Sequence, residues 1–187
     1  MKEGRAVEKY LIAHCAPTLA SLKTASLFCF AVSREELSRQ LAEWNAQLQE
    51  KGIFLTALRF CGGRALVYVC RRSHLCADLR RPGVARFLAA YGYTSAAPEY
   101  ALAHLRQRIQ EGEGFPHEIG IFLGYPLGDV IGFIRNGGKN CKCSGCWKVY
   151  GNVCEAQRRF AQFQKCREIY ARRYHEGKTV RQLTVAA

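Results

Sequence analysis

Two apolar runs, residues 53–60 (IFLTALRF) and 64–71 (RALVYVCR), are separated by nothing but Cys61-Gly62-Gly63. So short a connection joins neighbouring antiparallel strands, because a parallel pair needs a crossover of about a dozen residues or more. Glycine also supplies the positive φ that tight hairpin turns demand. This hairpin constrains what can be placed beside it. Residues 26–32 (SLFCFAV) are another short apolar run and read as a buried strand. Ser33, followed by Glu36, then makes a capping box, and Leu37, Leu41, Trp44 and Leu48 recur at helical spacing. That pattern predicts an amphipathic helix ending at Gly52. Residues 4–13, with Val7, Leu11 and Ile12 on one side, predict an opening helix. Pro17 should end it, since proline has no N–H to donate to the ladder.

Past the hairpin the pattern turns helical. Residues 73–79 and 82–91 predict short helices, the second with Pro82 in its first turn. Pro98 opens another helix, with Leu102, Leu105 and Ile109 inward, and Gly112-Glu113-Gly114 breaks it. A strand is expected over 119–123, then a helix from Pro126 to Ile134 stopped by Asn136-Gly137-Gly138, then a short strand over 147–150. Asn152, with Glu155 behind it, caps a last long helix whose inner face is Phe160, Phe163, Cys166 and Tyr170. The chain has no internal repeat and no low-complexity linker. The expected fold is α+β, one domain over 1–187, with a mixed sheet of about five short strands covered by helices.

Composition narrows the function classes. At 187 residues and 49% hydrophobic, the chain can bury a real core and is not intrinsically disordered. No apolar run reaches the roughly 18–20 residues that span a bilayer. The opening Met1-Lys2-Glu3-Gly4-Arg5 lacks a signal-peptide pattern, so a cytoplasmic location is expected. In such a compartment the ten cysteines read as buried thiols, metal ligands or redox groups rather than disulfides, with Cys29, Cys61 and Cys70 as small core residues. The net charge of +13 is uneven: residues 135–187 carry 12 Lys and Arg against Glu155, Glu168 and Glu176. A basic end suits RNA or an acidic protein, although a solvated face is the plainer account.

Chemistry-bearing residues concentrate in three places. The densest runs from Phe115 to Asp129 and holds His117, Glu118, Tyr125 and Asp129. A strand entering Gly124-Tyr125-Pro126 and then a helix would make a strand-to-helix turn, a natural anion site, with Asp129 set against the helix dipole. His117 and Glu118 on a strand would face opposite sides. The second cluster, Lys139 to Lys148, spaces Cys141, Cys143 and Cys146 as Cys-x-Cys-x-x-Cys. This resembles a zinc knuckle with Cys154 or Cys166 as a fourth ligand; redox thiols, activated by the nearby Lys and Arg, and structural cysteines are the alternatives. The third is His14-Cys15-Ala16-Pro17-Thr18, where a histidine beside a cysteine could activate a thiolate, or the segment could simply stop a helix.

Together these stretches resemble a family of small proteins from anaerobic gut-type bacteria, number 3793 in the domain-of-unknown-function series. The resemblance rests on His14-Cys15-Ala16-Pro17-Thr18-Leu19, on Phe115-Pro116-His117-Glu118-Ile119-Gly120 with Gly124-Tyr125-Pro126 and Asp129-Val130, and on Gly138-Lys139-Asn140-Cys141-Lys142 with Gly145 and Trp147-Lys148-Val149-Tyr150-Gly151. It implies a cytoplasmic bacterial protein without an established activity. In the family pattern an aromatic residue often stands where this chain has Cys146, which weakens the knuckle and leaves Cys141 as the family-like thiol.

The first functional expectation is a protein that handles a small molecule or cofactor in one pocket. That pocket would be formed by the His14–Thr18 and Phe115–Asp129 motifs, with His14, Cys15, His117 and Glu118 as catalytic candidates. Thr18, Tyr125, Asp129, Lys139, Lys148 and Tyr150 would bind the ligand. A redox cofactor or zinc is the cofactor class these residues suit. The second is a non-enzymatic module binding RNA or an acidic partner through the basic end, with Arg158, Arg159, Lys165, Arg172 and Arg173 in water. The third is a metal-binding protein using Cys141, Cys143 and Cys146.

Overall fold

The computed structural model describes residues 4–112 and 114–186, and these pack as two compact units, 4–75 with 166–186 and 76–165. Residues 1–3, which carried part of the argument against a leader, and Glu113, the middle of the expected helix break, lie outside the described residues.

The hairpin organises the first unit. β2 (Ile53–Cys61) and β3 (Arg64–Arg71) pair antiparallel, and Gly62 and Gly63 take φ of 56° and 70°, the positive pair of a tight primed turn. β1 (Ala25–Ala31) pairs antiparallel with the other edge of β3, giving the order β1-β3-β2. A bulge between Ala57 and Arg59 breaks the β2 register and lets Leu58 bury completely. α1 (Gly4–Leu19) packs on β1 and α2 (Arg34–Leu48) on β2. The Asn45 side chain of α2 both donates to the Leu55 carbonyl (2.9 Å) and accepts from the Leu55 N–H (2.8 Å), pinning helix to strand. The core comprises Leu11 and Leu19 of α1, Phe28 and Phe30 of β1, Trp44 of α2 and Val67 of β3, joined by Cys166 and Tyr170 of the last long helix. Cys29 alternates away from Phe28 and Phe30 and is exposed, as is Cys61 at the turn; of the three cysteines expected in the core only Cys70 is buried.

Pro17 does not end α1. The helix continues to Leu19 because Cys15, Ala16 and Leu19 are fully buried, and that burial outweighs one lost ladder bond in the final turn. The helix end is closed instead by Arg71, whose side chain is itself fully buried. Its Nε donates to the Thr18 carbonyl (2.8 Å), Nη2 to the carbonyls of Leu19 (2.6 Å) and Val185 (2.7 Å), and Nη1 to that of Lys51 (3.2 Å). The cation sits at the negative end of the helix dipole, which supplies the compensation a carboxylate would otherwise give.

The second unit is mainly helical. It contains α4 (Val84–Ala89), α5 (Pro98–Glu111), α6 (Ile119–Phe122) and α7 (Leu127–Arg135), with the small hairpin of β4 (Cys143–Ser144) and β5 (Lys148–Val149). α3 (Arg72–Leu79) begins in the first unit and ends in the second, and α8 (Val153–His175) passes from the second to the first at Cys166. A last short helix, α9 (Val180–Leu183), returns to the first core, opened by a Thr179–Gln182 capping box. The fold class is α+β and the strands among the described residues number five, but they form two antiparallel sheets rather than one mixed sheet.

The strand expected over 119–123 is the helix α6. Ile119, Ile121, Phe122 and Leu123 are buried all round, and a short run buried on every side carries no period to separate strand from helix. Among the described residues, no helix is long and apolar enough to cross a membrane.

Candidate functional site

The site in the second unit begins with the way α6 stops. Gly124 takes φ 77°, Tyr125 N–H bonds back to the Gly120 carbonyl (2.9 Å) and Gly124 N–H to that of Ile121 (3.0 Å). This is a Schellman-type end, after which Pro126 caps α7. Gly-Tyr-Pro is therefore a helix-to-helix turn, not the expected strand-to-helix turn. Gly120 has no room for a side chain: a Cβ there would lie 2.7 Å from the Val130 methyl and 3.2 Å from the Tyr125 ring. That close approach sets the two helices and projects Tyr125.

Asp129, in the first turn of α7, is 3% exposed and both its oxygens are engaged. Oδ1 accepts from the N–H of Tyr150 (2.8 Å) and of Gly151 (2.7 Å), and Oδ2 from the Trp147 indole N–H (2.8 Å). One carboxylate thus fastens the end of the β4–β5 hairpin onto α7. Three more bonds tie the hairpin to neighbouring backbone: Lys148 Nζ to the Gly138 carbonyl (2.7 Å), Tyr150 hydroxyl to that of Lys139 (2.9 Å) and Lys142 Nζ to that of Gly151 (3.0 Å). Burial, and then the neighbouring Cys141 thiol, raise the Tyr150 phenol above its ordinary range.

Between α6, α7 and the hairpin lies a cavity of about 420 Å³, within the size range of small-molecule sites. Two aromatic pairs wall it. Tyr125 stacks on Trp147 with centroids 5.1 Å apart, and His117 meets Phe133 edge-on at 5.0 Å. Lys148 Nζ stands 5.9 Å from the Phe133 centroid, and Phe115, 46% exposed, lies at the rim. Trp147 is held from behind by Phe160, edge-on at 4.5 Å.

His117 and Glu118 do part company, but in the turn preceding α6 rather than on a strand. His117 is exposed. Glu118 is 1% exposed and accepts from Arg108 Nε and, at 3.2 Å, from the Tyr93 hydroxyl. Burial, and then the Glu118 carboxylate, push the Tyr93 phenol up. Arg108, Tyr91 and His104 line a second cavity of about 540 Å³, which shares Phe115 and His117 with the first.

The third motif belongs to the first unit. His14 is exposed, stacked on Tyr10 (5.8 Å) and Phe28 (6.2 Å), while Cys15 is fully buried and its thiol is pushed up to about 12 by burial. Neighbours on a helix point about 100° apart, so this pair does not form an activated thiolate, and Cys15 is a core residue. The Thr18 hydroxyl shares a buried hydrogen bond with Ser26 (2.9 Å) and is not available to a ligand.

None of the ten cysteines is in a disulfide, and among the described residues no three His, Cys, Asp or Glu side chains are grouped to hold a metal ion. The expected knuckle of Cys141, Cys143 and Cys146 is not assembled, since Cys143 and Cys146 pack against the Trp147 cluster as small apolar side chains. Lys139 is exposed and contributes its carbonyl rather than its amine to the loop. In α8, Phe163, Cys166 and Tyr170 are buried and Phe160 is half-buried, and Arg158, Lys165, Arg172 and Arg173 are exposed as expected, but Arg159 is half-buried and paired with Glu155 at 3.0 Å.

Sequence reasoning passed over Trp147, Phe133 and Arg108 as site residues. For Arg108 a signal existed: it sits between Leu105 and Ile109 at spacing that directs it beside the buried stripe of α5.

A family model described as "Protein of unknown function (DUF3793)" matches residues 11–184, nearly the whole chain. Neither a curated protein nor a solved structure matches.

Proposed function

We propose that this chain, which belongs to the DUF3793 family of proteins of unknown function, binds a small planar molecule in the aromatic cavity of its second unit. The observation that carries the reading is the pair of aromatic walls, Tyr125–Trp147 and His117–Phe133, around about 420 Å³ of space. A flat ligand placed between such faces gains stacking as well as apolar burial. The walls are also preformed. Asp129 holds Trp147, and Tyr125 donates to the Cys146 carbonyl (3.2 Å), so little ordering cost remains at binding. No cysteine lines the cavity; Asp129, on its wall, has both oxygens engaged, which leaves His117 as the acid–base group and Lys148 as the cation. The reading is therefore one of binding, with proton transfer at His117 as the chemistry within reach.

The test uses Trp44→Phe protein, in which Trp147 is the remaining one of two tryptophans. Titration with 2-naphthamide should quench Trp147 emission saturably, and Phe133→Ala should weaken binding about tenfold, the scale of losing one aromatic contact. A folded protein with no saturable response to any planar aromatic probe overturns the reading. Native mass spectrometry of freshly purified protein provides a second readout, a co-purified small molecule lost in Phe133→Ala.

A further inference from the structure

We infer that the ligand carries an anionic arm, a carboxylate or a phosphate, and that Arg108 in the adjoining polar cavity receives it; this rests on the aromatic cavity being the binding site. The two cavities share Phe115 and His117, so they are successive compartments along the same wall. In the polar compartment Arg108 is fixed on two sides. Its Nε donates to Glu118 Oε1, and its guanidinium lies 5.5 Å from the centre of the Tyr91 ring. Glu118 is itself anchored, 1% exposed and bonded to the Tyr93 hydroxyl at 3.2 Å. What is left over is the outer edge of the guanidinium. Neither Nη1 nor Nη2 has a hydrogen-bond partner among the described residues, and the side chain is 35% exposed, enough to face the cavity it lines.

A guanidinium immobilised through Nε, with both Nη groups open, presents the planar fork that matches two oxygens of a carboxylate or phosphate. Structural need does not explain that geometry. Glu118 could be satisfied by the Nε contact and the phenol alone, through any cation of suitable length. Of the two acids on this wall among the described residues, Glu118 is paired with Arg108 and Glu111 is turned to Gln107, whose Nε2 donates to it at 3.0 Å. His104 holds the Tyr91 carbonyl at 3.0 Å and so fixes the residue that supports the Arg108 face. His117, on both walls, is the second group able to donate to the arm.

The experiment compares two probes of the same shape by calorimetry, 3-(2-naphthyl)propanoate and its primary amide, with 2-naphthylmethyl phosphate as a second anion. On wild-type protein both naphthylpropanoyl probes should bind, and the acid should bind about tenfold or more tighter, the scale of a charge-assisted hydrogen bond. Arg108→Lys keeps a charge for Glu118 but loses the fork. The double variant Arg108→Gln, Glu118→Gln leaves no unpaired buried charge. In both, the advantage of the acid should vanish while the amide binds within about twofold of wild type. A preference for the phosphate over the carboxylate, lost in the same variants, assigns the arm as a phosphate; the reverse order assigns it as a carboxylate. Equal affinity of acid and amide on wild type, or an acid advantage that survives in both folded variants, overturns the inference and leaves the aromatic cavity standing. If neither probe binds wild type, the cavity reading falls and this one with it. The wild-type comparison decides the matter by itself should the variants fail to fold.

Discussion

Replacing Asp129 tests how the cavity is held open. Its carboxylate receives three N–H groups at 2.7–2.8 Å, from Trp147, Tyr150 and Gly151. A hydrogen bond to a charged group is worth about 1.5–3 kcal/mol, but such values do not add within a cluster, and Gly151 is exposed enough for water to replace one of them. Asp129→Ala should therefore destabilise the second unit by about 3–5 kcal/mol. Asp129→Asn is the sharper variant. Its amide oxygen can keep both backbone N–H groups, but its NH₂ then faces the indole N–H, donor against donor, at a cost of about 2 kcal/mol. In a Trp147→Phe background that conflict disappears, so the cost of Asp129→Asn should fall below about 1 kcal/mol, a coupling of about 1–2 kcal/mol. Urea denaturation followed by circular dichroism measures the totals. Hydrogen exchange at the Tyr150 and Gly151 amides reads the site itself, and both should exchange faster in the alanine variant. Asp129→Ala within about 0.5 kcal/mol of wild type, with unchanged exchange at those amides, would refute the argument; so would a cost for Asp129→Asn that is identical with and without the indole.

Arg71→Met removes a buried cation that bonds four carbonyls and should cost the first unit about 3–5 kcal/mol in denaturation, with Arg71→Lys recovering less than half because an ammonium cannot span the same acceptors. Thiol labelling of native protein near neutral pH, read by mass spectrometry, should mark the exposed Cys29, Cys61 and Cys154 first and spare Cys15 and Cys70. Burial pushes those two thiols up to about 12 from an ordinary 9.0, so between those values the folded chain binds more protons than the unfolded one, and stability should fall as pH rises above 9. Gly132→Ala would place a Cβ 2.5 Å from the Tyr150 ring, close to its attachment point where the ring cannot swing away, and should cost about 1–3 kcal/mol and blunt probe binding. Anisotropy titration with single-stranded RNA at low salt should show no saturable binding, because Arg159 pairs with Glu155, Arg172 and Arg173 pair with Glu176, and the α8 aromatics lie on its inner stripe; a steep salt slope that flattens when Arg158, Arg159, Arg172 and Arg173 become Gln would establish the RNA function instead.

The first unit was the legible one. Its signals are local: two glycines between apolar runs, a serine cap, a helical stripe of Leu37, Trp44 and Leu48, each deciding a single element. One of its features was not local. The continuation of α1 through Pro17 depends on burial against residues far along the chain, and on Arg71, which reaches its carbonyls across more than fifty positions of sequence. In the second unit the crowding of turn residues and ionisable groups within 115–151 was readable, and the aromatic cavity is lined from that segment. Its geometry was not. Ile119-Gly120-Ile121-Phe122 carries no periodicity, and the groups that receive the polar side chains are backbone carbonyls and N–H groups, whose positions residue identity does not encode.

That difference bears on how the motif residues work. Asp129, Tyr125, Lys148 and Tyr150 look like ligand-binding residues in the sequence, yet each directs polar atoms to its own protein's backbone: to Tyr150 and Gly151, to Cys146, to Gly138 and to Lys139. Were these side chains the recognition groups, binding would have to break bonds that hold the hairpin in place, at about 1 kcal/mol or more for each. They serve instead as the frame. On the binding function proposed above, recognition falls to the groups the frame leaves uncommitted: the faces of Trp147 and Phe133, the imidazole of His117 and the outer edge of Arg108. It follows that substitutions at Asp129 or Tyr150 should alter stability and ligand affinity together. Substitutions at Phe133 or Arg108 should alter affinity with little change in unfolding, provided the Glu118 charge is matched. A parallel series of denaturation and calorimetry measurements over those positions separates the two classes. Affinity lost at Asp129 with stability intact would place the carboxylate back among the ligand-binding groups.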